Sequence, residues 1–507
     1  MVSASRVSHS GKPRTDELLA RFAASITHVR ALVADYLDRE KRGGEAALDS
    51  IASNVAVNPD GRRDLPTLDT ASELQTDRWK QRNAMRRVLR GTRAASCGRI
   101  LRGSDNVRLW WDSEMGARYS NLQTCGSVWV CPVCNHKIQV TRCDEVKAML
   151  EHCKEHGWTV VFGTHTVRHD RKQSLRQVED MASTVWRKVS QHRRVRDMKA
   201  RVHLLGYVRA SESTWSIVHG WHWHYHTYWI FADPLEGRTV QVPVYKRRRD
   251  HTTYVDHFIE RDAFDDFRDT ITSDWVDTAV KQGYKAPRFA NQVFETIDFS
   301  KESTVQAAAR YCTAYKTATT PQTSRLGHEL TDTQSKIGKV KRHANGRDVL
   351  HLTYWDFVRI LSMPSDLAER TLSANGLTLE QVEGLAREYY RSTKGRKALV
   401  WSRGLRDMCG LGEELSDEEV AARDCRQPGS YRLTILRSRV NARKDHVMAG
   451  LLAVCNATHG DVTSCGQFLR LYGVAYRVEP VEKIRRLFDE DAARPSPVAI
   501  LLKPQAK

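Results

Sequence analysis

Three histidines alternate along Gly220-Trp221-His222-Trp223-His224-Tyr225-His226-Thr227-Tyr228-Trp229-Ile230-Phe231. On an extended strand successive side chains leave opposite faces, so His222, His224 and His226 share one face while Trp221, Trp223, Tyr225, Trp229 and Phe231 cover the other. A row of imidazoles on a strand whose back is packed is what a metal platform requires. The plainer alternative is a half-buried strand with solvated histidines.

Sulfur supplies a second set. Cys131-Pro132-Val133-Cys134 is a CxxC knuckle, Cys125 stands six residues before it, and Cys97 lies 28 residues before Cys125. Four thiolates form the closed tetrahedral set of a structural zinc site, and a knuckle with two intervening residues supplies two of them. His136 is an alternative to Cys97 as the fourth ligand. The competing chemistry is thiol redox, because Trp129 to Cys134 has the form W-x-C-x-x-C, but that reading leaves Cys97 and Cys125 idle. A third set lies in the alanine-rich segment Ser303 to Lys316, which reads as a helix opened by a Ser or Thr cap. Tyr311 and Tyr315, four residues apart, project from one face of it. Spacing alone fits a packing stripe as well as a nucleophile pair.

These residues need a scaffold. Strands are expected over 158–167, 202–210 and 221–231, with amphipathic helices over 175–191, 261–283 and 303–317, a mixture that predicts an α+β domain built on a sheet with helices packed against it. Ahead of it stand a charged helix over 16–41, a polar linker, a basic helix near 79–90, the cysteine module and a connecting helix over 139–156. Behind it come a basic loop with Lys336, Lys339, Lys341 and Arg342, and helices near 354–362, 378–393 and 433–455. The expected domains are therefore 1–75, a helical appendage and linker; 76–138, a basic helix and zinc-binding module; 139–325, the α+β domain that carries the histidine strand; and 326–507, a mainly helical region and candidate DNA-binding surface.

The chain has 507 residues, too many for one core. Its 80 Lys and Arg against 61 Asp and Glu leave a net charge of +19, which favours a polyanionic partner. No apolar run is long enough to span a bilayer and Met1 to Arg14 lacks an apolar secretion core, so a cytoplasmic protein without a membrane partner is expected. In that setting eleven cysteines point to metal-held thiolates rather than a disulfide framework.

Taken together the motifs resemble the HUH endonuclease superfamily, and within it the rolling-circle replication initiators (Rep proteins) of bacterial plasmids. Asn121 to Cys134 looks like the cysteine signature these initiators carry before their catalytic domain, and Gly220 to Phe231 resembles their G-W-H-x-H-x-H stretch, with His-hydrophobic-His falling on His224-Tyr225-His226. Tyr311 to Tyr315 resembles the Y-x-x-x-Y helix that carries the nucleophile. Thr164-His165-Thr166-Val167 and Gly206 to Glu212 resemble the first two strands, and Trp401 to Arg406 also looks similar; the likeness covers roughly residues 90 to 420.

The resemblance implies an antiparallel HUH domain that nicks one DNA strand at a plasmid origin. A divalent ion, Mg or Mn, would sit on His224 and His226, with Glu212 or else His222 as third ligand, beside the structural Zn of Cys97, Cys125, Cys131 and Cys134. Tyr311 would be the nucleophile that forms a 5′-phosphotyrosine and frees a 3′-OH, Tyr315 would act in a second transfer or only pack, and Arg310 and Lys316 would lie at the DNA. Expected partners are origin DNA, single-stranded or supercoiled, and the host helicase and replication machinery. A transposase of the same superfamily would share the chemistry. A non-enzymatic, zinc-containing DNA-binding regulator would use only the charge and the cysteines.

Overall fold

The computed structural model describes residues 68–101, 106–111, 116–249, 253–300, 339–342, 348–363, 365–373, 376–422, 431–436 and 444–479. Tyr311, Tyr315, Arg310 and Lys316, the expected helices over 16–41 and 303–317, and Lys336 lie outside the described residues.

The fold is α+β and its strand pairings are antiparallel. Strands β1 (Asn106–Trp111) and β2 (Arg118–Ser120) come first, then β3 (Thr159–Thr166), β4 (Leu204–Ser216) and β5 (Gly220–Phe231). They are followed by β6 (Thr239–Arg247), β7 (Thr253–Asp262), β8 (Val293–Thr296), β9 (Lys339–Arg342), β10 (Asp348–Thr353), β11 (Leu399–Trp401), β12 (Tyr431–Leu436) and β13 (Tyr476–Glu479). The larger helices are α1 (Leu68–Val88), α2 (Pro132–Glu155), α3 (Leu175–Gln191), α4 (Ala263–Lys281), α5 (Tyr354–Ser362), α6 (Leu379–Thr393), α7 (Lys444–Ala457) and α8 (Val462–Leu471).

Seven strands form the main sheet, in the order β8-β3-β5-β4-β10-β9, with β11 also paired to β4. The long β4 accommodates both extra partners because β11 pairs with Val208 to Ala210 and β10 with Thr214 to Ser216. The aromatic face of β5 is buried as its alternation requires: α3 covers Tyr225 and Trp229, while Trp221 packs on Phe357 and Tyr389 and Trp223 on Trp129. Helix α3 opens on a capping box of Ser174 and Gln177 and buries Leu175, Val178, Ala182, Val185, Trp186 and Val189, the one-face spacing of an amphipathic helix. Trp186 meets Tyr225 and Trp229 from β5 and Trp275 from α4.

The opposite face is divided. Toward the Phe231 end, Tyr228 and Ile230 are covered by Val146, Met149, Leu150 and Cys153 of α2. The histidine end of that face is not covered by this cluster. At that end the β4–β5 connection packs closely, since Gly220 adopts φ +71° and a Cβ there would lie 2.6 Å from the backbone oxygen of Arg171. Only glycine lets the turn lie against the chain that leaves β3.

Three expectations need correction. The sheet does not end at 325, because β9, β10 and β11 complete it from beyond that point. The region after 326 is accordingly no separate helical domain, and it also supplies β12 and β13 to a second, four-stranded sheet with β1 and β2 from the cysteine-bearing segment. The helix expected over 433–455 is instead β12 followed by α7. Leu433 and Ile435 alternate into the second core opposite β1, and that long-range pairing overrides the local helical pattern. Among the described residues no helix is long and apolar enough to cross a membrane.

Candidate metal centre

Strand register brings the candidate ligands together. Glu212 on β4 lies directly opposite His224 on β5, and His226 is the diagonal neighbour, opposite Ala210. One carboxylate oxygen, Glu212 Oε2, is 3.0 Å from His224 Nε2 and 3.0 Å from His226 Nε2. Glu212 and His226 are buried, whereas the His224 side chain keeps 12% of its surface exposed. The group thus opens to solvent on the His224 side.

A second layer orients His226. Its Nδ1 lies 3.2 Å from the Thr164 hydroxyl on β3, and Phe162 stacks on its ring. A hydroxyl at Nδ1 leaves Nε2 directed at the carboxylate, the orientation a ligating imidazole requires. Two nitrogens and a carboxylate with an open side fit a divalent ion that keeps positions for other ligands.

His222 does not join this group. Its Nδ1 is 3.0 Å from Nε2 of His169, on the turn after β3, although its ring stays 4.9 Å from that of His224. His165, in the strand that resembles the first of the initiators, faces the other way. It is buried among Trp186, Trp229, Trp275 and Phe294 with Nε2 3.2 Å from the Thr227 hydroxyl. Burial, reinforced by His226 and Arg209, pushes its pKa down to about 3, so it is a neutral core histidine.

Beside the histidines runs an open groove of about 360 Å³ whose lining includes Arg168, His169, Arg171, His219, His222 and Arg288. Its outer wall is fastened to β3, since Thr166 N–H donates to Gln292 Oε1 at 3.0 Å and Trp275 Nε1 donates to the Thr166 carbonyl at 2.8 Å. The acid in the lining, Asp170, is engaged by Lys285 at 2.6 Å. Guanidinium and imidazole groups facing an open channel suit phosphate oxygens. His169 and these arginines are not among the residues singled out above by motif or spacing, and the signal for them is the charged run Arg168-His169-Asp170-Arg171 directly after a strand.

The four cysteines also converge. Cys97, Cys125, Cys131 and Cys134 are buried and unbridged, with all four sulfurs within 4.8 Å of one another. The Cys97 sulfur is 3.5 Å from those of Cys131 and Cys134, and Cys125 and Cys134 are 3.7 Å apart. Hydrogen bonds from Cys125, Cys131 and Cys134, with Arg82 nearby, hold the Cys97 thiol well below the usual range. Such a cluster of buried thiols is a group that could bind a metal ion. His136 stays outside it. Cys131 caps α2, Pro132 opens it and Cys134 sits in its first turn, so the helix that covers half of the sheet starts from the sulfur cluster. Trp129, part of the redox-like pattern, is buried against Trp223 and donates from Nε1 to the Arg396 carbonyl at 2.7 Å. It is a packing residue.

Among curated proteins the chain is similar to Protein rep of Streptomyces lividans, with 25% identity over 320 residues. The match covers 57% of this chain and 64% of that protein's length. No family model matches the chain, and no solved structure matches it.

Proposed function

We propose that the protein is a rolling-circle plasmid replication initiator of the HUH type, which nicks one strand of origin DNA through a tyrosine. The observation that carries this reading is Glu212 Oε2 lying 3.0 Å from both His224 Nε2 and His226 Nε2, on a strand whose next imidazole, His222, lines a cationic groove. The similarity to a protein named rep supports replication as the setting.

Glu212, His224 and His226 would hold a divalent ion, Mg or Mn, and when bound it would offset the charge on a scissile phosphate and on the leaving 3′ oxygen. Thr164 keeps His226 in the ligating orientation. Arg168, Arg171 and Arg288 receive the flanking phosphates and align the strand. Tyr311, on the segment that resembles the Y-x-x-x-Y helix, gives up its phenolic proton and attacks phosphorus. The P–O3′ bond breaks, the 3′ oxygen takes a proton, and a 5′-phosphotyrosine remains. Arg310 and Lys316 favour the phenolate at neutral pH, where a free tyrosine is almost entirely protonated. Because the covalent bond conserves the phosphodiester's energy, rejoining needs no ATP. Tyr315 would serve the second transfer. The four-cysteine group takes structural Zn, and the host helicase extends the nicked strand's opening.

The test is to incubate the protein with supercoiled plasmid from its own replicon. Open circles should form with Mn or Mg and not with EDTA. Intact supercoils under all three conditions would refute the reading.

A further inference from the structure

A second groove, of about 400 Å³, is lined by Arg86, Arg87, Arg90, Gly91, Ala95 and Arg99. No carboxylate stands among these residues. Arg86 and Arg87 stand in the last turn of α1 and Arg90 in the turn that follows it, so three like charges crowd one helix end. The negative end of the α1 dipole accounts for Arg86 and Arg87 in its last turn. It does not account for Arg99, which another part of the chain delivers to the same groove.

That delivery is built in detail. Arg86 Nη2 donates to the Cys97 carbonyl at 2.7 Å, tying α1 to the first of the four cysteines. Gly98 N–H donates to the Gln123 carbonyl at 2.7 Å, and Gln123 N–H donates to the Arg99 carbonyl at 2.8 Å, which pins the loop on its far side. Gly98 has φ +73°, and a Cβ there would lie 1.5 Å from Arg82 Nη1, whose guanidinium is itself stacked over Trp79. The loop is thus pressed onto α1 at a point only glycine can occupy. Arg87, Arg90 and Arg99 are exposed, and Arg90 and Arg99 make no ion pair with any described residue.

We propose that this groove is a second DNA contact, a cradle for backbone phosphates of duplex DNA, and that the four-cysteine group holds its two walls in register. The proposal rests on the DNA-nicking reading above but concerns a different surface. The groove's cations are all arginines, and Arg90 and Arg99, exposed on its two walls, are suited to forked contacts with phosphate oxygens while Arg86 holds the walls together. An open channel without acidic or aromatic lining suits a continuous backbone rather than stacked single-stranded bases.

The experiment measures binding of a short mixed-sequence duplex by fluorescence anisotropy across a salt series, for the wild type, for Arg90→Ala with Arg99→Ala, and for Arg90→Lys with Arg99→Lys. Loss of two phosphate contacts should flatten the slope of log K against log salt by about 1.8, so the affinity lost between about 50 and 200 mM salt shrinks by about 12-fold. The lysine pair should keep the wild-type slope. Cleavage of single-stranded origin DNA by the alanine pair should stay at the wild-type rate. A wild-type slope in the alanine pair would overturn the groove proposal alone, whereas wild-type protein with no salt-dependent DNA binding would overturn the nicking reading with it. Should the alanine pair fold poorly, Arg90→Glu alone should weaken binding and flatten the slope, and an unchanged slope there would equally overturn the groove.

Discussion

Glu212 and His224 face each other across the β4–β5 ladder, and the same carboxylate oxygen that lies 3.0 Å from His224 Nε2 also lies 3.0 Å from His226 Nε2. Removing either the acid or the imidazoles should therefore dismantle one site. Glu212→Ala, or His224→Ala with His226→Ala, should cost several kcal/mol of transition-state stabilisation, a fall in nicking of roughly a hundredfold or more. Manganese titration by calorimetry checks the cause, since both variants should lose the binding isotherm that the wild type has. Undiminished nicking by the double histidine variant would remove the metal assignment.

His222 provides the contrast. It points to His169 rather than to Glu212, so His222→Ala should weaken binding of the strand in the groove while leaving manganese affinity within about threefold of wild type. Loss of the manganese isotherm in His222→Ala would put it in the ligand set instead.

The sulfur cluster predicts about one tightly held zinc per chain by elemental analysis. Cys131→Ser should lower thermal stability and soluble yield more than it changes the turnover of the folded fraction, because a closed thiolate site contributes folding free energy and offers no position to substrate. Zinc-free protein of normal stability would contradict this.

His165 sets a pH dependence. Its folded pKa is pushed down to about 3 by burial, while an unfolded imidazole titrates near 6.5. Between these values the unfolded chain binds the extra proton, so the stability this residue permits is complete above about pH 6.5 and is lost as pH falls toward 3. From about pH 7 to about pH 5 the loss is about 2 kcal/mol. His165→Gln stays neutral, so its denaturant-measured stability should fall less over that range by about this amount. Parallel pH profiles for the two proteins would count against it.

Much of the site was legible in the chain because a strand's period of two assigns faces without knowledge of the fold. Parity alone separates His222, His224 and His226 from the aromatic residues buried on the other face of β5. What parity does not fix is the neighbour on the adjoining strand. From the strand alone Glu212 and His222 are equal alternatives, and it is the β4–β5 register that puts Glu212 opposite His224. Cys97 was similarly a matter of spacing until the Gly98–Gln123 contact folded its loop back on the knuckle. The second sheet was not legible, since β1 pairs with β12 across more than three hundred residues and short strands such as Arg118–Ser120 carry little pattern of their own. The exposed β6–β7 hairpin escaped for a related reason. Both its faces meet solvent in large part, so it lacks the alternation that marks a half-buried strand.

Covalent joining of a tyrosine of this chain to DNA is read out by peptide mapping of the adduct. Protein incubated with single-stranded origin DNA and manganese, denatured and digested with trypsin and nuclease, should yield one nucleotide-bearing peptide modified on Tyr311, and none from Tyr311→Phe although that variant still binds the DNA. An adduct on a residue outside 311–315, or cleaved DNA with no adduct at all, would rule out nicking by Tyr311.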